Sequence, residues 1–275
     1  TGMDACLWLL QNGVPPSRIR LIMPRDAWLM DRANHQPGAD YYEKSIGSAI
    51  AQFDAVIEAA SVADLFARLE KSGQLQRIDP TVEPTTYRCA VVSQGELAQL
   101  RRIGDVVRLG RVMAIEPSRI VLERGALAAD PDTLYIDCSA GAIQMPPPLP
   151  VFDGGRVNLL MVRTCQPLFS AALIAFVESR YDDPALMNAL CTPVPSPERP
   201  IDWLRMLAAT LANGGRWGKE PKLHAWLASC RLNFLAAMLR GVDMSDTTNT
   251  DRLKESGAKS GAAARKAAEL LAAPA

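Results

Sequence analysis

The stretch Thr1–Arg25, TGMDACLWLLQNGVPPSRIRLIMPR, decides how the rest of the chain is read. Ala5, Leu7, Trp8, Leu9 and Leu10 give a broad apolar face to a helix predicted over Asp4–Asn12. Gly13 suits the helix C-terminus, and Pro15 and Pro16 forbid its continuation. Ile19, Leu21 and Met23 then alternate with polar positions up to Pro24, the pattern of a strand. Helix, short loop and strand make the second half of a β-α-β unit. The expectation is that its first strand is missing, which would leave Leu7, Trp8 and Leu10 partly exposed.

Composition narrows the functional classes. With 275 residues the chain has room for one or two domains, and 48% apolar against 22% charged residues is ordinary for a globular protein. Thirty basic residues balance thirty acidic ones, so no global field draws nucleic acid, and no nucleic-acid partner is expected. No apolar run reaches the ~18 residues of a membrane span. The cysteines (Cys6, Cys89, Cys138, Cys165, Cys191, Cys230) are scattered, with no CxxC. That argues against structural zinc, against any other metal site and against a redox dithiol; reduced thiols in a cytoplasmic protein are expected.

Further along, Ser45 to Ser72 carries apolar residues at helical spacing. A Pro- and Thr-rich loop (Asp79 to Thr86) leads to an extended RCAVVS and a short helix from Gln94 to Arg102. DVVRLGRVMAIEPSRIVLERG reads as two strands turning near Pro117 and Ser118. DTLYIDCSA reads as a strand of buried type running into Ser139 and Ala140. The prolines of MPPPLPVFDGG make a stiff crossing and mark a boundary. Beyond it come a strand in RVNLLMVRTCQP, an apolar helix in LFSAALIAFVESRYDD, and helices over Asp202–Asn213 and Lys222–Arg240. The expected domains are 1–145 and 146–242, with 243–275 a loose tail.

A dinucleotide site of Rossmann type consists of a strand, G-x-G-x-x-G and a helix, with a discriminating residue at the end of the next strand. Gly2 fits the third glycine, with Thr1 before it, so the helix would begin where a pyrophosphate sits, at the positive end of its dipole. Arg25 stands 23 residues after Gly2, at the end of the following strand. The usual separation is about 20 residues, and arginine there favours a 2′-phosphate, hence NADP over NAD.

The segments TGMDACLWLLQNGV and IRLIMPRDAWLMDR together resemble the NADP-binding segment of flavin-containing monooxygenases and the wider FAD/NAD(P)-dependent oxidoreductases. TLYIDCSAG resembles the strand and turn by which that family leaves its NADP domain, with Ser139-Ala140-Gly141 in place of the usual Ala-Thr-Gly. FDGGRVNLLMVRTCQPLFSAALIAFVE resembles the return to the FAD domain. The resemblance covers residues 1 to 180 in order, without the FAD fingerprint and the first two glycines of the NADP one. It implies an α/β fold: a Rossmann-like domain lacking its first strand, then the C-terminal part of an FAD-binding domain with additional helices. It also implies the C-terminal portion of a longer flavoprotein that uses FAD and NADP on a small-molecule substrate.

On this reading Thr1, Gly2, Met3 and Asp4 offer N–H groups to the NADP pyrophosphate, and Ser139 and Ala140 form the exit turn. Arg32 is a second candidate for the 2′-phosphate, with a surface ion pair as the plainer role, and Trp28 either stacks on adenine or is buried. Gln166, Pro167, Leu168 and Phe169 would line the flavin, although Phe169 also suits the core and Cys165 suits a small buried site. His35 and His224 have no identifiable acidic partner, so a hydrolytic triad finds no support and no catalytic side chain is assigned. The implied function is an NADPH-using flavin oxidoreductase of monooxygenase type. The alternatives are a disulfide reductase of the same architecture and a nucleotide-binding module without turnover.

Overall fold

In the computed structural model, which describes residues 2–140 and 149–273, the chain opens with helix α1 (Gly2–Gln11). Gly13 follows it at φ 83°, and Gly13 N–H and Val14 N–H close the helix end on the carbonyls of Leu10 and Leu9. Strands β1 (Arg20–Ile22) and β2 (Ala27–Asp31), helices α2 (Tyr42–Glu58) and α3 (Val62–Lys71), and strands β3 (Leu75–Gln76) and β4 (Thr86–Val92) come next. Helix α4 (Gln94–Leu100) precedes β5 (Asp105–Val107), β6 (Val112–Ile115), β7 (Arg119–Leu122) and β8 (Gly125–Ala128). The remainder holds β9 (Phe152–Asp153), β10 (Arg156–Val157), α5 (Pro167–Arg180), α6 (Pro184–Leu190), α7 (Pro200–Trp217), α8 (Pro221–Ser229), α9 (Phe234–Leu239) and α10 (Thr247–Ala272). The protein is a mixed α/β chain, and none of its described helices is long and apolar enough to cross a membrane.

Two compact units divide it. One comprises Thr1–Leu29, Arg77–Thr86 and Val92–Gln144; the other comprises Met30–Gln76, Tyr87–Val91 and Met145–Ala275. The sequence reading assigns 1–145 to one contiguous domain, but residues 30–76 group with the C-terminal region because α2 packs on α10 and α3 packs on α7. The proline-rich crossing lies partly outside the described residues.

In the smaller unit β1 and β5 pair in parallel, Arg20 opposite Asp105, with an ion pair of 2.8 Å between those two side chains. Helix α1 packs on α4, whose start carries a capping box: Ser93 Oγ accepts from Glu96 N–H, and the Glu96 carboxylate accepts from Ser93 N–H. The expected hairpin is present as β6 and β7, antiparallel, and β8 extends it to a three-stranded meander. Gly110 is required there: its φ is 86°, and a Cβ would sit 2.7 Å from Glu123 Cβ. DTLYIDCSA is the exception. It forms no strand, and residues 131–140 are all exposed, Leu134 at 80%.

The centre of this unit is an ion pair. Arg108 grips the buried Asp26 carboxylate with both arms of its guanidinium, at 2.8 and 3.0 Å, and Asp79 approaches the same arginine at 3.3 Å. The Asp26 carbonyl accepts from Thr86 N–H and Oγ, so one residue ties three segments together. Beside it Trp28 is 1% exposed, under the Arg77 guanidinium at 4.8 Å.

The larger unit is helical around a small sheet of order β3-β2-β4. The helical pattern of Ser45–Ser72 breaks into α2 and α3 because Ser61 caps the second helix, its Oγ accepting from Asp64 N–H while Asp64 accepts from Ala60 N–H. The stretch expected as one helix over Lys222–Arg240 ends at Ser229 and resumes at Phe234, with Asn233 N–H bonded to the Cys230 carbonyl in the gap. Within 243–275, expected as a loose tail with at most a marginal helix at its end, Thr247–Ala272 form the long helix α10. Asp246 caps it, Lys259 reaches Asp54 at 2.7 Å, and the Asn249 carbonyl accepts from Tyr42 OH. Ala263 and Ala267 are fully buried, so small side chains let the helices approach where large ones would bury more area.

Replacing Asp26 with Asn should destabilise the smaller unit by about 1.5–3 kcal/mol, because an amide accepts neither charge-assisted bond as the carboxylate does. Thermal and urea melts of the variant against wild type check this.

Candidate functional site

Gly2 begins α1, and the first-turn N–H groups of a helix have no intrahelical acceptors. A Cβ at Gly2 would lie 3.7 Å from the Cys138 Cβ, so the helix start and the Asp137–Ala140 turn stand side by side. Ser139 N–H donates to Asp137 at 2.8 Å and orders that turn. The Ser139 hydroxyl and N–H together hold the Asp137 carboxyl below its usual range. Burial, then the neighbouring Cys138, push the Cys6 thiol up. Gly2 and Met3 are half-buried, while Asp4, Ser139 and Ala140 are exposed. Thus five of the sequence-predicted residues gather at one end of α1; Thr1 and Gly141 lie outside the described residues.

Arg25 is exposed in the turn after β1, in the smaller unit. Arg32 belongs to the other unit, where its guanidinium reaches the Val91 carbonyl at 3.5 Å. Trp28 takes the buried role of its two, since its ring lies in the core and under a cation.

In the larger unit Gln166 is the N-terminal flanking residue of α5, and its carbonyl accepts from both Ser170 N–H and Ser170 Oγ. Leu168 is exposed, but Phe169 is 2% exposed and does not line a surface site. Its ring carries the Arg163 guanidinium at 4.0 Å and meets Trp217 and Trp226 at 5.8 and 6.2 Å. Of the two roles read for Phe169, the structure gives it the core one. Arg163 also lies over Trp217 at 4.9 Å and donates to Asn233 at 2.7 Å. Burial pushes its pKa down to about 10.

The strand expected in RVNLLMVRTCQP is present only as β10 (Arg156–Val157), and residues 161–165 are an irregular strap held by side chains. Val162 N–H donates to Ser170 Oγ, the Val162 carbonyl accepts from Asn213, and Thr164 N–H donates to Thr210. At its end Cys165 is joined to Cys89 by a disulfide, 76 residues apart in sequence, where reduced thiols were expected. No spacing rule reveals a bond between cysteines so far apart. His35 faces the Asp31 carbonyl at 3.2 Å, and His224 is exposed. Among the described residues no group of side chains could hold a metal ion.

Three mycobacterial proteins match this chain: uncharacterized protein Rv2000 and uncharacterized protein MT2056 of Mycobacterium tuberculosis, and uncharacterized protein Mb2023 of Mycobacterium bovis. Each is 52% identical over 239 residues, 87% of this chain, and the chain spans 44% of the length of each relative. No family model matches the chain, and no solved structure matches it.

Phe169→Ala should destabilise the larger unit by about 3–5 kcal/mol, the scale for emptying a buried aromatic site. A denaturant titration measures this; a melt equal to wild type would return Phe169 to the surface.

Proposed function

We propose that the chain is part of an FAD- and NADPH-dependent oxidoreductase of flavin monooxygenase type, cytoplasmic and acting on a small molecule. The observation that carries the reading is the meeting of Gly2 with the Cys138–Ala140 turn at the start of α1, followed by a strand in parallel pairing. In the resembled family the glycine loop and the exit turn flank one nucleotide, and here the two matching segments are neighbours.

The residues present fit NADP better than FAD. The first-turn N–H groups of α1 are donors of the kind a pyrophosphate takes, and Arg25 is exposed for the 2′-phosphate. On the FAD side Gln166 remains at the start of α5, with Leu168 exposed beside it, while Phe169 is withdrawn. When bound, NADPH supplies a hydride and FAD accepts it. This chain's own part is to bind and place: backbone N–H groups of Gly2–Asp4 hold the pyrophosphate, and the guanidinium of Arg25 holds the 2′-phosphate.

Adding NADPH to the flavin-loaded parent polypeptide without oxygen should bleach the visible flavin absorbance. A protein that binds NADPH and never bleaches would be the binding module instead. Bleaching that also opens the Cys89–Cys165 bond would favour the disulfide reductase. Arg25→Ala should weaken NADPH binding by roughly 1.5–3 kcal/mol and leave NADH binding nearly unchanged. Titration calorimetry with the two cofactors compares them, and equal loss for both would make Arg25 structural.

A further inference from the structure

Among the described residues two that are not glycine hold a left-handed φ, Cys89 at 55° and Cys165 at 45°, and these two are the bonded pair. Left-handed backbone is unfavourable for any residue with a side chain and persists where surrounding structure enforces it. Here the surroundings are unequal. Cys89 sits within β4, next to Arg88, which pairs with Glu198 at 2.8 Å. Cys165 ends the strap of 161–165, which Ser170, Asn213 and Thr210 hold from α5 and α7. The disulfide is thus a tie between two segments that are each held independently, and opening it leaves both with their own anchors.

Both cysteines are half-buried residues. Cys165 directly precedes Gln166 and the 14-residue helix α5, so a thiolate released there lies at the positive end of the helix. The other cysteines of this unit are Cys191 and Cys230. Cys191 is buried, which pushes its thiol up to about 12 and makes it a poor nucleophile.

We propose that Cys89 and Cys165 form a thiol–disulfide exchange site that takes a small dithiol as its reductant and is opened and closed in the folded protein. A thiolate of the dithiol attacks the Cys89 sulfur and expels Cys165 as the thiolate, which then takes up a proton. The dithiol's second thiolate attacks its own sulfur in the mixed disulfide and expels Cys89, which takes up the second proton. Two electrons and two protons pass to the cysteine pair, and the dithiol becomes a cyclic disulfide. Reduction releases Cys165 from β4 while the strap keeps its bonds to Ser170, Asn213 and Thr210. The inference stands without any cofactor, since neither Cys89 nor Cys165 is among the residues proposed to hold one.

The test uses the whole chain, purified without reductant, acid-quenched and alkylated. Peptide mapping should show Cys89 linked to Cys165 and the four other cysteines alkylated. Dithiothreitol should then raise the alkylated count to six while the near-ultraviolet circular dichroism stays native, and glutathione disulfide should restore the link. In the variant Cys165→Ser, glutathione disulfide should leave no intramolecular link. Six free thiols after prolonged glutathione disulfide would overturn the proposal. So would a bond that yields to dithiothreitol only when the protein is unfolded, since it would then be purely structural.

Discussion

Taking a guanidinium out of water sets the terms for the larger unit. Arg163 is half-buried, burial pushes its pKa down to about 10, and no carboxylate is paired with it among the described residues, so its charge is met by other means. Two ring faces and one amide oxygen meet it: Phe169, Trp217 and Asn233. Each is fixed in turn, Trp217 by donating its indole N–H to the Leu190 carbonyl at 2.7 Å, Asn233 by donating to the Leu227 carbonyl. The aromatic cluster of α5, α7 and α8 is therefore also the solvation shell of one cation. The strap that carries Arg163 has no ladder of strand bonds because its amides and carbonyls are taken by Ser170, Thr210 and Asn213. A strand there would need a neighbouring strand, and the helices supply partners first.

What was legible in the sequence was what local chemistry dictates. Gly13 after an apolar helix and the paired prolines each act within one turn of chain, and each takes its expected role. The hairpin around Pro117 was legible for the same reason. Assignment of residues 30–76 to the first domain failed because the partners of α2 and α3 lie far along the chain, on α10 and α7. Helix α10 itself was hidden by composition. Its contact face is alanine, which contributes little hydrophobic signal while permitting close packing, and its ion pairs with Asp54 and within its own turns resemble a solvated charge run.

The candidate site divides along the same line. Gly2, Met3, Asp4, Ser139 and Ala140 were found from motif order, and they gather at the end of α1. Phe169 could not be placed by periodicity, because LFSAALIAFV is apolar nearly all round and offers no polar face to mark its outside. The covalent tie between Cys89 and Cys165 left no trace in spacing at all. A disulfide needs proximity in space, and proximity between β4 and the strap is a product of the finished helical packing.

The segment Thr133–Ala140 separates two properties that strand prediction joins. Its residues have the composition of a buried strand, yet Leu134, Tyr135 and Ile136 are exposed and no ladder forms. Side-chain preference for a pleated surface favours a strand only when neighbours cover its faces and pair its edges. Without them no strand forms, and the apolar side chains remain exposed. Trp8 on α1, 62% exposed, is in the same condition, though its helix forms regardless because its hydrogen bonds are internal. One apolar stretch has lost its secondary structure and the other has kept it. The difference lies in where each element finds its backbone partners, not in how apolar it is.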